Sequence, residues 1–503
     1  MYSLDIENKE YSIREKLSIE ETDDMDKFDN DVEEIDEEAA ESNNPNWTLR
    51  KCCSKLLDKL SSEFPHIVFD VLRPFLETDI QHKDWIIKER SILVFGAIGV
   101  GQYESVKPHL NNLLRYLIGE FVHPNKLVRA ISCWTLSRYY NFMIDDNITD
   151  CKEEFFRYFL CELVKRFLDK ENIVQTAACT AFNTLVQYNK EKISPYINEI
   201  LKKISSVLED NQGSSLLALY ETIIVLTDNY PDHFKNVDLI TEVLNFIMKK
   251  WYNLIELTKT PQGNRENFLS NDLSNVVFFD LLGSIARASG NIMENYLEDF
   301  IERSLRLISF QSEDKEIICK SLDLISVLCN LFPEKIRISP SKFKIITEVF
   351  RLIEHDKDIN TKQYVLALIG DICRVDPNLL EGDIDPLIEI LTNHIQIIDF
   401  KNCRGDMKLI SVCNNSCWTL GILAVTFKDK IEKYVDIIIG SLLNILKSPK
   451  LNKALAQNIS ICIGRLGLVS PKKVANYMPY FIKQFCMSLK TAENSLEKQE
   501  AFE

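Results

Sequence analysis

Pairs of amphipathic segments recur along this chain at a spacing in the low forties, and no other feature limits its fold so tightly. The stretches WIIKERSI (Trp85–Ile92), KLVRAISC (Lys126–Cys133) and NIVQTAAC (Asn172–Cys179) overlay on one another. Their equivalent apolar positions, Ile87, Val128 and Val174, are separated by 41 and 46 residues. A second set, opened by proline, lies between them. PHLNNLL from Pro108 and PYINEIL from Pro195 stand 87 residues apart, about two periods, and PLIEIL from Pro386 is a further member. Proline suits the first turn of a helix, where backbone N–H groups have no intrahelical partner.

Two helices per unit at this period are the signature of HEAT repeats. No single unit can bury its apolar face alone, so units stack into a curved superhelix with a long concave wall. The expected fold is therefore an all-α HEAT-repeat α-solenoid. Composition agrees. The chain has 503 residues, 46% of them hydrophobic, with only 15 glycines and 15 prolines, too few for a strand-and-turn architecture.

The formal charge of −16 is concentrated at one end. Residues 1–44 hold 17 acids against 4 bases, and the remainder is nearly neutral. Such a segment buries too little apolar surface to offset its ordering entropy, so 1–44 is expected to be an acidic disordered segment. Residues 45–503 are expected to form the repeat array, with about ten to eleven units at this period. The polar stretches 257–274 and 398–408 interrupt the rhythm and read as loops. An acidic chain repels nucleic acid and anionic membrane surfaces and attracts basic partners. The N-terminus has no apolar signal-peptide core, and the longest apolar stretch, Ile92–Val100, is too short to span a bilayer. A soluble chain is expected.

Chemistry is not indicated. The 14 cysteines form no CxxC pair, and most sit in apolar helical stretches as reduced thiols would. The seven histidines make no HExxH or comparable set. Gly96–Gly101 offers three glycines, but they end a helix instead of following a strand, which points to helix termination and not to phosphate binding. No enzyme activity, cofactor or metal is expected.

Four passages go further than the period: WTLRKC (Trp47–Cys52), ISCWTLSRY (Ile131–Tyr139), ISVCNNSCW (Ile410–Trp418) and IGRLG (Ile463–Gly467). They resemble helices of the transportins, within the importin-β superfamily, and the acidic run precedes them where transportins carry an acidic loop. The resemblance is collinear from about residue 20 to the end. It implies a nuclear import receptor whose C-terminal arch grips localisation signals ending in Pro-Tyr, with basic or hydrophobic residues upstream. RanGTP would release that cargo with help from the acidic loop, and Phe-Gly repeats of the nuclear pore would be further partners. Neither nucleic acid nor membrane is implied as a direct partner. The receptor would shuttle between cytoplasm and nucleus.

Carried over residue by residue, the resemblance puts Asp58, Leu93, Ile131 and Trp134 at the Pro-Tyr site. It puts Ala177, Thr184, Glu221 and Asp228 along the middle, with Asp323 and Asp371 facing basic residues. Ile410, Asn414, Trp418 and Ile461 would take the upstream hydrophobic part. Spacing is consistent with this: Ile131 and Trp134 are i,i+3, and Ile410, Asn414 and Trp418 step by four, so each set shares a helix face. A mid-helix pair such as Asn414–Asn415 is unfavourable by propensity and favours a functional reason.

The chain also departs from the family pattern. Gln187 and Asn330 stand where carboxylates are expected, Val225 replaces a hydroxyl residue, and Ser54–Lys55 replace small alanines. Glu221 keeps its charge on a longer side chain. The repeats that grip RanGTP lie mainly before the acidic loop in the family, so the array is expected to be incomplete at both ends and to lack the main Ran-binding repeats. The alternative is a HEAT-repeat scaffold subunit of a multiprotein complex.

Overall fold

Four of the second helices begin where a short polar side chain satisfies a free N–H of the first turn. In the computed structural model, the Asp84 carboxylate accepts from the Ile86 N–H (3.0 Å), Asn125 from Leu127 (2.8 Å), Asp358 from Thr361 (2.7 Å) and Asn452 from Ala454 (2.9 Å). Such caps contribute about 1 kcal/mol each and fix where the helix starts. The structure describes residues 49–64, 66–144, 152–209, 213–257, 273–309, 315–396, 407–448, 451–492 and 496–502. The acidic segment 1–44 and most of the two expected loops lie outside these residues. At the loop margins, Leu257, Leu273–Ser274 and Met407–Lys408 belong to helices.

The described residues contain helices and no strand. The fold is an all-α HEAT-repeat α-solenoid, and contacts divide it into two compact units. The first unit comprises residues 1–249 and 272–288. Its second helices, which form one packed row, are α1 (Leu49–Glu63), α2 (Trp85–Ile98), α3 (Lys126–Ser137), α4 (Asn172–Tyr188), α5 (Gly213–Asn229) and α6 (Leu273–Ser289). The second unit comprises 250–271 and 289–503. Its row is α7 (Lys315–Leu331), α8 (Ile359–Val375), α9 (Met407–Thr426), α10 (Lys453–Val469) and α11 (Leu496–Phe502).

First helices cover the row from behind. Ile197–Ser205 is typical: Ile197, Ile200, Leu201 and Ile204 are buried, an i, i+3, i+4, i+7 stripe, with lysines and Glu199 on the other side. Each fully buried Leu or Ile contributes about 1.5–3 kcal/mol of transfer free energy. Pro108 and Pro195 sit in short 3-10 turns that lead into first helices, and Pro386 is in the first turn of Ile384–Gln396.

The sequence period reappears as bonds between neighbouring repeats. Arg129 makes a two-pronged pair with Asp169 (2.9 and 2.7 Å). Arg166 donates to the Phe121 carbonyl (3.0 Å), Tyr230 to that of Lys190 (2.8 Å), and Arg351 to that of Ile308 (3.2 Å). Helix α9 is long and apolar enough to cross a membrane, but 56% of its apolar window is buried within the fold, as in a core helix.

The glycines of Gly96–Gly101 do mark a helix end, at Ile98, but with Gly99 in the right-handed region (φ −57°). Their use is close packing. A Cβ on Gly96 would fall 2.2 Å from Trp134, and one on Gly101 2.4 Å from Ser61.

Candidate functional site

All fourteen residues singled out from the sequence lie on the row of second helices. In the first unit Asp58 is on α1, Leu93 on α2, Ile131 and Trp134 on α3, Ala177 and Thr184 on α4, and Glu221 and Asp228 on α5. In the second, Asp323 is on α7, Asp371 on α8, Ile410, Asn414 and Trp418 on α9, and Ile461 on α10.

Both tryptophans are seated by the same local device. The pentapeptide SCWTL occurs at Ser132–Leu136 and again at Ser416–Leu420. In each copy the serine donates back along its own helix, Ser132 to the Val128 carbonyl (2.7 Å) and Ser416 to that of Val412 (2.8 Å). In each copy the threonine reaches the preceding row helix, Thr135 to the Ile92 carbonyl (3.0 Å) and Thr419 to that of Leu366 (2.7 Å). Four residues after that carbonyl stands a glycine. A Cβ on Gly96 or on Gly370 would lie 2.2 Å from the indole of Trp134 or Trp418, so each ring rests on bare backbone. The serine, threonine and glycine together lock the ring's position, and an arginine then covers it.

At Trp134 that cation is Arg138, one turn on, with its guanidinium 5.9 Å from the ring centroid. Arg138 also pairs with Asp58 at 3.1 Å. Asp58, Trp134 and Arg138 are thereby brought together, beside Ile131, which is buried on the same helix. Ala177 is buried on α4, and the Thr184 hydroxyl bonds to the Thr180 carbonyl (3.1 Å). Burial pushes the Glu221 carboxyl above its ordinary value, whereas Asp228 is exposed.

At Trp418 the cation comes from the neighbouring helix. The Arg374 guanidinium lies 4.7 Å from the ring centroid, and the indole Nε1 donates to Glu497 on α11 at 2.9 Å. The Asn414–Asn415 pair ties α9 to both sides: Asn458 of α10 donates to Asn414 (3.0 Å), and Asn415 donates to the Gln363 carbonyl of α8 (2.9 Å). These bonds between helices offset the poor helix propensity of asparagine. Ile461 is buried on α10, and Ile410 is half-buried. Asp371 accepts from the Ser326 hydroxyl. Burial raises its carboxyl above the usual range, against the pull of Ser326, Asn330 and Arg374.

Arg138, Arg374, Arg465 and Glu497 were not among the residues that the sequence singled out. The repeated pentapeptide and the i+4 placement of Arg138 after Trp134 are signals of the first cluster. Nothing local signals Glu497.

These features define a HEAT-repeat solenoid with two tryptophan-centred clusters built on one plan, the Trp134 ring buried and the Trp418 ring half-buried. Residues 85–139 match the HEAT-like repeat family. The human protein transportin-1 is 28% identical over 471 residues, covering 91% of this chain and 49% of the relative. Transportin-1 of Oryza sativa subsp. japonica is 29% identical, covering 91% and 51%. The chain spans about half the length of the relatives that it matches. Crystalline importin β shares the fold with a TM-score of 0.70 at 13% identity, over 92% of this chain and 60% of that one. The chain is similar to transportins over 91% of its own length and shares the fold of importin β.

Proposed function

We propose that this chain is the cargo-gripping part of a nuclear import receptor, binding localisation signals of the Pro-Tyr type. The observation that carries the reading is the identical seating of Trp134 and Trp418, each on a bare glycine of the neighbouring helix. A ring fixed in this way offers a rigid, pre-ordered apolar surface, and aromatic anchors of that kind carry most of the energy in a peptide interface. In the first unit, Trp134, Ile131 and Leu93 receive the Pro-Tyr pair, with Asp58 at the margin. Ala177, Thr184, Glu221 and Asp228 line the passage along α4 and α5. In the second, Asp323 and Asp371 face basic residues, and Ile410, Asn414, Trp418 and Ile461 take the upstream part.

The relatives named transportin support this reading. RanGTP is the releasing partner and Phe-Gly repeats of the pore are the transit partners, with the receptor moving between cytoplasm and nucleus. Catalysis has no part in it.

The test is fluorescence anisotropy of a labelled basic peptide ending in Pro-Tyr, beside its Ala-Ala counterpart. Saturable binding is expected only with Pro-Tyr. Trp134→Ala is expected to weaken it by about thirtyfold or more, the loss of a hot-spot residue. Equal binding of both peptides by a folded chain would sink the assignment and favour a scaffold that engages a folded partner.

A further inference from the structure

Beside its apolar ring, Trp418 borders a cluster of donors that suits an anion. A single oxygen, Oε1 of Glu497, receives three donors: the Trp418 indole N–H (2.9 Å), Arg374 Nη2 (2.9 Å) and Arg465 Nη2 (3.3 Å). Arg465 is 2% exposed, and its Nε and Nη2 are also held by Glu500 (2.9 and 2.8 Å). Its Nη1 is buried without a hydrogen-bond partner. Two guanidiniums and an indole N–H thus converge on one point from α8, α9 and α10. Convergent charge-assisted donors are the usual means of recognising a carboxylate.

Their present occupant is a side chain of this chain that is partly open to solvent. Glu497 lies on α11, and its side chain is 31% exposed. Arg465 keeps Glu500 whether or not Glu497 stays. Rotation of the Glu497 side chain into water therefore leaves Arg374 and the Trp418 N–H facing solvent with no anion between them. A further charged group near Arg374 is Asp371, on the same helix α8 and bonded to Ser326.

We propose that the Arg374–Trp418–Arg465 cluster reads an acidic side chain of a bound peptide, and that Glu497 fills this position when no peptide is present. The preferred ligand then carries Asp or Glu where it meets Trp418, in addition to basic residues near Asp323 and Asp371. Glu497 acts as an internal competitor. Affinity for the acidic ligand falls by the fraction of chains in which the position is closed, so removing the competitor restores it. The inference deepens the peptide-receptor reading and rests on it for the identity of the ligand.

The experiment uses the full chain labelled with 15N at the indoles, the Trp418 signal being assigned with Trp418→Phe. Acetyl-Gly-Glu-Gly-amide, its Gln counterpart and inorganic phosphate are titrated separately. In Glu497→Gln, the Glu peptide is expected to move the Trp418 N–H signal saturably and the Gln peptide not to move it. The unaltered chain should need about tenfold more Glu peptide for the same shift. Arg374→Gln should abolish the response, and Glu497→Asp, the milder change, should fall between. No response to the Glu peptide in any chain, or one that survives Arg374→Gln, overturns the proposal. An equal response to phosphate would overturn the acidic-peptide assignment in favour of an unselective anion site. None of these probes contains Pro-Tyr, so failure here is distinct from loss of Pro-Tyr peptide binding in the anisotropy test.

Discussion

Replacing Gly370 by alanine should separate the packing of Trp418 from ordinary helix energetics. Gly370 lies in α8, and a Cβ there would fall 2.2 Å from Cζ3 of the indole and 2.9 Å from Cε3. Carbon atoms settle at about 3.5–4.0 Å, so ring or helix must give by more than about 1 Å. The ring is hemmed in by Arg374 on one side and by Glu497 at its N–H. Overpacking of this kind costs about 1–3 kcal/mol. Alanine itself repays about 1 kcal/mol as the better helix former. The net expectation for Gly370→Ala is a loss of up to about 2 kcal/mol after subtracting that gain from the overpacking cost. Gly440 is the control: it lies within the helix Val435–Leu446, in the same unit, and a Cβ there would meet nothing within 4 Å. Gly440→Ala should stabilise by about 0.5–1 kcal/mol. Urea titrations followed by circular dichroism give the two midpoints. They should move in opposite directions, with a shift in tryptophan emission for Gly370→Ala alone. Equal midpoints and unchanged emission would mean that the indole does not rest on Gly370, and the shared-seat argument would fail with it.

Three further outcomes follow from the same geometry. Arg129 and Asp169 are 6% and 4% exposed, so Asp169→Ala leaves a buried guanidinium uncompensated and should cost about 3–5 kcal/mol; an unfolding midpoint close to that of the unaltered chain would refute the burial. Burial raises the Glu221 carboxyl, a shift whose penalty is absent below the ordinary glutamate range and grows as pH rises through the folded value. Glu221→Gln should therefore be the more stable chain at neutral pH, with the difference fading once pH falls below about 4, the unperturbed glutamate range, and thermal melts across pH would show it. Among the described cysteines, Cys52, Cys53, Cys161 and Cys486 are exposed, whereas burial pushes the Cys462 thiol up to about 12. Alkylation at pH 8 followed by peptide mapping should mark the four exposed residues and spare Cys462 until the chain unfolds.

The parts of this structure that were legible in the sequence are those governed by short-range rules. Ile87, Val128 and Val174 mark equivalent turns because a helix that packs against its neighbours must repeat its apolar face with the period of the stack. The caps at Asp84 and Asn125 act two residues ahead, within reach of any local reading. What decides the chemistry at Trp418 acts over longer distances. Its seat is 48 residues back, at Gly370, and its hydrogen-bond acceptor is 79 residues on, at Glu497. No local pattern distinguishes that glutamate from Glu500, the other acid of α11. The same limit explains the glycines of 96–101, which end a helix as their positions imply but owe their identity to Trp134 and Ser61 on neighbouring helices. In a stacked repeat, then, the period tells which helix faces which, and a side chain two repeats away determines what Trp418 can bind. At Trp134 the covering arginine comes from the tryptophan's own helix, whereas at Trp418 it comes from α8 and is answered by α11. Two copies of SCWTL can therefore share one seat and still differ in the ligands that they prefer.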